Sequence, residues 1–346
     1  MTEPELETSL RTQVNLATGA DTKAHPVTKL KGEASGRSYY RVGTAPDSKV
    51  LMVMPKDALK SDEATRGAPP KELPFLNVHR YLSSIGVRVP LIHRYDEPAG
   101  MMVLEDLTDQ TFEAGLNDST RHALYAKAVK LLARLRADAE SRPDATCLAF
   151  TRSFDEELYD WEFHHFREWG MEAWSGQKPT DAERAELDGI FKKLSAQLAA
   201  APKGFTHRDY QSRNLMLKGD ELVVIDFQDA LLGPRQYDLV ALLRDSYVEL
   251  ERKFVEEMLA IYAAEFALKT GERIALPEFT RFFDLLTVQR KLKDAARFEF
   301  INRVKGNPGF LVSIPASLRY VKTALDQQPQ LNDLRRIASR YVPELQ

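Results

Sequence analysis

A histidine, an arginine and an aspartate stand in a row at His207, Arg208 and Asp209, and Asn214 follows on the same polar stretch. The chain then turns at Gly219 and Asp220 and runs through an apolar segment, 222–225, that delivers Asp226 and Phe227. These residue types at this spacing suit the transfer of a phosphoryl group from ATP to a hydroxyl. Such a transfer asks little covalent work of a protein. It needs the accepting hydroxyl oriented, the phosphates positioned and their charge neutralised by a metal ion. Asp209 would accept or orient the hydroxyl proton. Asn214 would offer a neutral amide oxygen to magnesium and Asp226 a carboxylate; this cation keeps waters and phosphate oxygens and asks few ligands of the protein. An isolated His-Arg-Asp is common by chance, but with the asparagine and a strand ending in aspartate it becomes far more specific. The competing reading is a polar loop whose Asp and Asn cap turns.

Strands and turns must place these groups. Residues 30–42 read as two apolar or aromatic stretches around a Gly/Ser-rich turn, and 50–54 (VLMVM) as a short buried strand ended by Pro55. Residues 56–70 read as a loop. A helix is expected over 72–85, with Phe75, Leu76, Val78, Tyr81 and Leu82 as its stripe and Gly86 closing it. Another short strand, 101–104, leads into Glu105 and Asp106. Beyond lie helices: one carrying Leu124, Ala128, Leu131, Leu132 and Leu135 behind a cap at Ser119 or Asp118, and one opened by a Thr180–Glu183 capping box. After the strand at 222–225 the text is helical again from Tyr237 onward, with a turn at 305–308. The pattern is α+β, with a strand-rich first part, a connector near Glu105 and a helix-rich remainder.

A chain of 346 residues is too long for one ordinary core and fits two lobes. The 48 basic side chains nearly balance 51 acidic ones, so the basic excess of a general nucleic-acid binder is missing and no nucleic-acid partner is expected. Cys147 is the sole cysteine, which rules out a disulfide within the chain, and no Cys/His spacing suits zinc. The polar N-terminal segment lacks the pattern of a secretory signal, and no apolar run approaches the roughly 18 residues of a membrane span. A cytoplasmic protein without a membrane partner is expected.

The segments HRDYQSRNLML, VVIDFQDALLGPRQYDLVALLRDSY, LKGEASGRSYYRV, MMVLEDLTD and QRKLK are spread over most of the chain. Together they resemble the aminoglycoside phosphotransferase superfamily, the small-molecule branch of the protein-kinase-like fold. Within it they look closest to bacterial sugar kinases of cell-wall recycling, which phosphorylate N-acetylmuramate and N-acetylglucosamine at the anomeric position. The resemblance implies a bilobal fold, with a strand-rich N-lobe over 1–105 carrying one main helix and a mainly helical C-lobe over 106–346. It implies ATP and Mg2+ as cofactors, Asp209 as catalytic base, and Asn214 and Asp226 as magnesium ligands. His207 would brace the catalytic loop, and Asp238 would tie that loop to the following helix. Arg208 departs from the small residue of many antibiotic kinases.

On the nucleotide side, the turn holding Gly32, Ser35, Gly36 and Arg37 would fold over phosphates, an ordinary hairpin being the alternative. Arg41 is a second candidate phosphate contact. The family's strand lysine is missing: Met52 or Met54 sits where it is expected, so Lys56 or an arginine of the Gly-rich segment would replace it. Glu72 would partner that cation, or simply face a helix N-terminus. Glu105 and Leu107 would form a hinge whose backbone pairs with adenine.

On the acceptor side, the short run from Asp226 to Asp238 leaves little room for a peptide platform, so a small-molecule acceptor is expected and a peptide substrate is not. Gln228 and Asp229 lie beside the metal residues and would touch a sugar hydroxyl. The aromatic stretch 159–169, with Trp161, is either a wall of the acceptor pocket or a helix packed on the core. Gln289, Arg290, Lys291 and Lys293 would meet an anionic acceptor or form a solvated helix face. Two other readings stay open: an aminoglycoside or choline-like kinase of the same fold, and a catalytically silent nucleotide-binding scaffold. Oligomeric state is not set by these features.

Overall fold

The computed structural model describes residues 3–30, 36–55 and 71–346; Gly32, Ser35 and Lys56 lie outside them. From the N-terminus the elements run α1 (Glu3–Thr18), β1 (Val27–Lys29), β2 (Ser38–Val42), β3 (Lys49–Val53), α2 (Pro74–Ser84), β4 (Ile92–Asp96) and β5 (Met101–Glu105). There follow α3 (Arg121–Ser141), α4 (Glu156–His165), α5 (Asp181–Ala199), β6 (Lys203–Thr206), β7 (Leu215–Lys218), β8 (Glu221–Val224) and β9 (Leu231–Pro234). The chain ends with α6 (Gln236–Leu243), α7 (Arg252–Thr270), α8 (Leu276–Lys305), α9 (Ile314–Leu325) and α10 (Asn332–Tyr341). These elements form two compact units: Met1–Thr111 with Leu215–Asp229, and Phe112–Asn214 with Ala230–Gln346.

The first unit is built on an antiparallel sheet in the order β1-β2-β3-β5-β4. Tyr40, Leu51 and Val103 lie opposite one another, and because side chains alternate across a strand they share one face with Val42, Val53 and Met101. Leu10 and Val14 of α1 cover that face. This helix is a correction to the strand-and-turn reading of the first third. Leu6, Leu10 and Val14 carry a helical spacing that the surrounding polar text conceals. β4 also went unread, since its IHRYD text is that of a polar edge strand. Helix α2 begins at Pro74, where a missing N–H costs nothing, and not at Glu72.

The β7–β8 hairpin turns at Gly219, whose φ of +58° suits glycine. Met216 and Val223 pack with Leu107, while the Leu217 N–H donates to Gln110 O (2.7 Å) and the Val224 N–H to Arg88 O (2.8 Å). These bonds explain why this unit extends to Thr111, past the boundary expected at 105/106, and takes in the hairpin.

The second unit is mainly helical, with β6 and β9 as a two-stranded ribbon against which α3 packs. The cap of α3 differs from the expected one. Asn117 Oδ1 accepts from the N–H groups of Ser119 and Thr120, and Thr120 occupies the cap position without a side-chain bond to the first-turn N–H groups of α3. The Thr180–Glu183 capping box is present in both halves. The aromatic stretch forms α4 and then a π-helical segment, Phe166–Ala173, with Tyr159, Phe163 and Phe166 buried. α8 spans 30 residues and ends where Gly306 turns left-handed at φ +67°.

Candidate active site

In the second unit, β6 carries the chain into the loop 207–214, and buried groups from four directions fix that loop. Asp238 in the first turn of α6 accepts from the backbone N–H of His207 (2.7 Å) and of Arg208 (2.9 Å). Asp245, just past α6, accepts from the N–H of Ser212 (2.8 Å) and of Tyr247 (3.1 Å). Tyr210 donates its hydroxyl to Ala128 O on α3 (3.0 Å), and the Glu113 N–H donates to Ser212 O (3.2 Å). His207 is wholly buried, and its Nδ1 accepts from the Asp209 N–H (3.2 Å). Burial raises the pKa of Asp238 and Asp245; their hydrogen bonds and nearby cations oppose the rise. Arg208 takes φ +79°, a left-handed backbone that costs a non-glycine residue about 1–3 kcal/mol and persists only when its surroundings over-determine it.

Asp209 projects from this loop toward cations. Arg290 of α8 donates from Nη2 to Asp209 Oδ1 (3.1 Å) and from Nη1 to Arg208 O (2.7 Å). Burial pushes the Asp209 carboxyl up in pKa, but Arg290, Lys293 and Arg208 outweigh it and hold the group below the usual carboxylate range. Asn214 donates its amide Nδ2 to Asp209 O (2.8 Å), which leaves its Oδ1 as the atom able to meet a cation.

The expected solvated face at 289–293 is a correction. Gln289, Arg290 and Lys291 are buried, Arg290 to 1% exposure. Lys291 and Lys293 each reach Asp294, at 2.8 and 3.1 Å. Gln289 donates to Glu162 Oε2 (2.5 Å), and Glu162 Oε1 lies 4.0 Å from the Arg208 guanidinium. Sequence reasoning missed Arg290, Asp245 and Glu162 as supports of the loop. The available signal was the run of polar residues on α8 at positions where Leu285, Leu286, Val288 and Leu292 already occupy much of the helix surface with apolar side chains.

Asp226 belongs to the first unit, at the end of β8, and has a left-handed backbone at φ +63°. Phe227 is buried against Phe75 at 4.9 Å between ring centres, which seats Asp226 on α2. Arg37 Nη1 lies 4.0 Å from Asp226 Oδ1. Gln228 donates to Asp226 Oδ1 (2.9 Å) and to Asp229 Oδ2 (3.3 Å), so its amide braces both carboxylates. Arg41 instead pairs with Asp106 (2.7 Å) and Asp109 (3.0 Å). Met52 is fully buried opposite Tyr39 and Met102, an environment that would penalise a charged lysine.

The Glu105 side chain accepts from Arg88 (2.6 Å), Lys218 (3.0 Å) and the Leu91 N–H (3.1 Å); burial opposes these bonds, yet its pKa is lowered to about 2. Leu107 presents its side chain to Met216 and Val223. Glu72 lies ahead of α2 and accepts from Asn77 (3.0 Å) and Arg80. Gly36 packs near Pro55, the residue that ends β3. In the second unit Trp161 is 40% exposed and stacks on His165 at 5.3 Å, with Phe300 edge-on to the same imidazole.

Residues 26–275 match the model of the phosphotransferase enzyme family. The N-acetylmuramate/N-acetylglucosamine kinase of Pseudomonas putida is 32% identical over 90% of this chain and 87% of that protein. A protein of the same name from Neisseria meningitidis serogroup B is 30% identical over 91% of this chain and 86% of its own. Among solved structures, an ADP-bound aminoglycoside phosphotransferase superposes with a TM-score of 0.58 at 14% identity, covering 94% of this chain and 99% of that one. A choline kinase from Cryptosporidium parvum Iowa II reaches 0.62 at 13% identity, covering 94% and 97%. The fold is therefore the protein-kinase-like one shared by these small-molecule kinases, and the chain belongs to the phosphotransferase enzyme family.

Proposed function

We propose that the chain transfers the γ-phosphoryl group of ATP to a hydroxyl of an amino sugar of the N-acetylmuramate/N-acetylglucosamine kind. The names of relatives that align over about nine-tenths of the chain support the acceptor class. The observation that carries the chemistry is Asp209: a carboxylate kept ionised by neighbouring cations, on a loop whose backbone is bonded at His207, Arg208 and Ser212. In transfer, the acceptor oxygen bonds to the γ-phosphorus as the bond to the β,γ-bridging oxygen breaks. The hydroxyl proton passes to Asp209, and ADP leaves.

Asn214 and Asp226 supply the oxygens for magnesium, and their chemistry fits: an amide oxygen on a side chain whose Nδ2 already donates to Asp209 O, and an exposed carboxylate. When bound, the cation neutralises charge on the phosphate oxygens. Arg37 takes the part of the missing strand lysine, and Gly36 lines the phosphates through its backbone. Glu105 and Leu107 meet adenine through the main chain, Glu105 being held in place by Arg88 and Lys218. Gln228, Asp229 and Trp161 are the acceptor contacts.

The cations around Asp209 disfavour a polycationic aminoglycoside or a quaternary ammonium acceptor, since either would bring like charge to Arg208, Arg290 and Lys293. An ATP-consumption screen over amino sugars, aminoglycosides and choline tests the assignment. Turnover stimulated by N-acetylmuramate or N-acetylglucosamine, and reduced about 10²- to 10⁴-fold by Asp209→Asn, is expected. Stimulation by choline or aminoglycosides alone would overturn the acceptor. Undiminished turnover in Asp209→Asn would overturn the base.

A further inference from the structure

We propose that Arg290 is a positioning residue, holding the Asp209 carboxylate by one oxygen and the loop backbone beside it so that the other oxygen faces the acceptor hydroxyl. The inference rests on the reading of Asp209 as proton acceptor, and it assigns work to a helix, α8, that lies far from the loop in sequence.

An arginine beside a carboxylate commonly grips both oxygens with a two-pronged fork. Arg290 does not. Its Nη2 meets only Oδ1 of Asp209 (3.1 Å), while Nη1 meets the carbonyl of Arg208 (2.7 Å). Among the described residues, the one further side-chain hydrogen bond to this carboxylate, from Gln211 Nε2 at 3.5 Å, also ends on Oδ1. All described hydrogen bonds to the carboxylate thus converge on one oxygen, and Oδ2 keeps its lone pairs for a hydroxyl proton. Bridging a backbone carbonyl and the next residue's side chain also fixes the rotation of the carboxylate against its own loop. A planar guanidinium does this because its two nitrogens are a set distance apart; an ammonium has a single nitrogen.

The guanidinium is itself held. Its Nε lies 3.8 Å from Asp294, whose carboxylate is also met by Lys291 and Lys293. Its central carbon lies 4.8 Å from the centre of the Tyr237 ring. A buried arginine is costly to maintain, and a well-packed apolar side chain often replaces such a charge without loss of stability. The split bonding at Arg208 and Asp209 gives this one a use beyond stability.

Arg290→Met, Arg290→Lys and Arg290→Ala, each also combined with Asp209→Asn, test the proposal, with kcat, both KM values and Tm measured. If Asp209 acts through the geometry that Arg290 sets, Arg290→Met lowers kcat about 100-fold with the KM for ATP changed less than about threefold. In the Asp209→Asn background the same change costs less than about threefold, because residues that act as a unit are grossly non-additive. Arg290→Lys recovers little despite keeping the charge, and ethylguanidinium restores part of the kcat of Arg290→Ala. Equal losses in both backgrounds, or full recovery by Arg290→Lys, would overturn the proposal and leave Arg290 a packing residue. Undiminished turnover in Asp209→Asn alone would instead strike at the reading of Asp209, so the two failures are distinguishable.

Discussion

Arg37 places its guanidinium 4.0 Å from the carboxylate of Asp226, and both residues belong to the unit built on the five-stranded sheet. The pairing sets a cation beside the proposed magnesium ligand in a chain whose β3 strand carries Met52 in place of a lysine. Desolvation in the sheet explains the methionine: Met52 is fully buried, whereas Arg37 precedes β2 and keeps its head group partly accessible. If Arg37 carries phosphate charge, Arg37→Ala weakens nucleotide binding by about 10- to 100-fold, the size of one or two charge-assisted hydrogen bonds. Arg37→Lys recovers part of the loss. Calorimetric titration with a non-hydrolysable ATP analogue and magnesium checks this, and unchanged affinity in Arg37→Ala would remove the residue from the phosphate site.

A low-pH prediction follows from Glu183. Its carboxylate accepts from the Thr180 N–H (2.9 Å) and hydroxyl (2.8 Å), from Tyr341 Oη (2.9 Å) and from Arg340 (2.7 Å), so one side chain caps α5 and anchors α10. Those bonds, led by the Thr180 backbone, lower its pKa from 4.5 to about 2. A depressed folded-state pKa gives stability that is complete above the unfolded value and lost as pH falls through the folded one. The contribution should therefore persist at neutral pH and fade between about pH 4.5 and 2. Glu183→Gln should lower stability at pH 7 by about 1–2 kcal/mol, from the cap and the charged bonds. Thermal melts of the two proteins should converge as the pH is taken down toward 3. A difference that stays constant with pH would contradict the assignment.

Much of this architecture was legible because local chemistry dictated it. Thr180 and Glu183 announce a helix start, Gly219 a turn, and the short apolar runs around Leu51 and Met102 two buried strands. Asp238 accepts from two backbone N–H groups of the loop 207–214. What stayed hidden depends on partners distant in sequence. Arg290 is bonded to residues 81 and 82 positions away, and a charged helix text reads the same whether solvent or a buried carboxylate awaits it. α1 was hidden for the converse reason: a sparse apolar stripe at Leu6, Leu10 and Val14 becomes meaningful only against the β2–β3–β5 face it covers.

Two glycines on neighbouring elements should respond to the same substitution with opposite signs. A Cβ at Gly204 of β6 would lie 2.6 Å from the Arg136 Cζ and Nε atoms. Arg136 cannot swing aside, because it is buried and donates to Phe205 O (3.2 Å), Gly233 O (2.9 Å) and Glu140. Overpacking of this kind costs about 1–3 kcal/mol. Gly189, in the middle of α5, has nothing within 4 Å of an added Cβ and helical backbone on either side. There alanine removes unfolded-state freedom and should add about 0.5–1 kcal/mol. Because β6 runs directly into His207, Gly204→Ala should also lower turnover, whereas Gly189→Ala should leave it unchanged. Urea unfolding of both variants together with steady-state turnover checks the pair, and a neutral Gly204→Ala would mean that Arg136 and its ribbon give way more easily than their bonding implies.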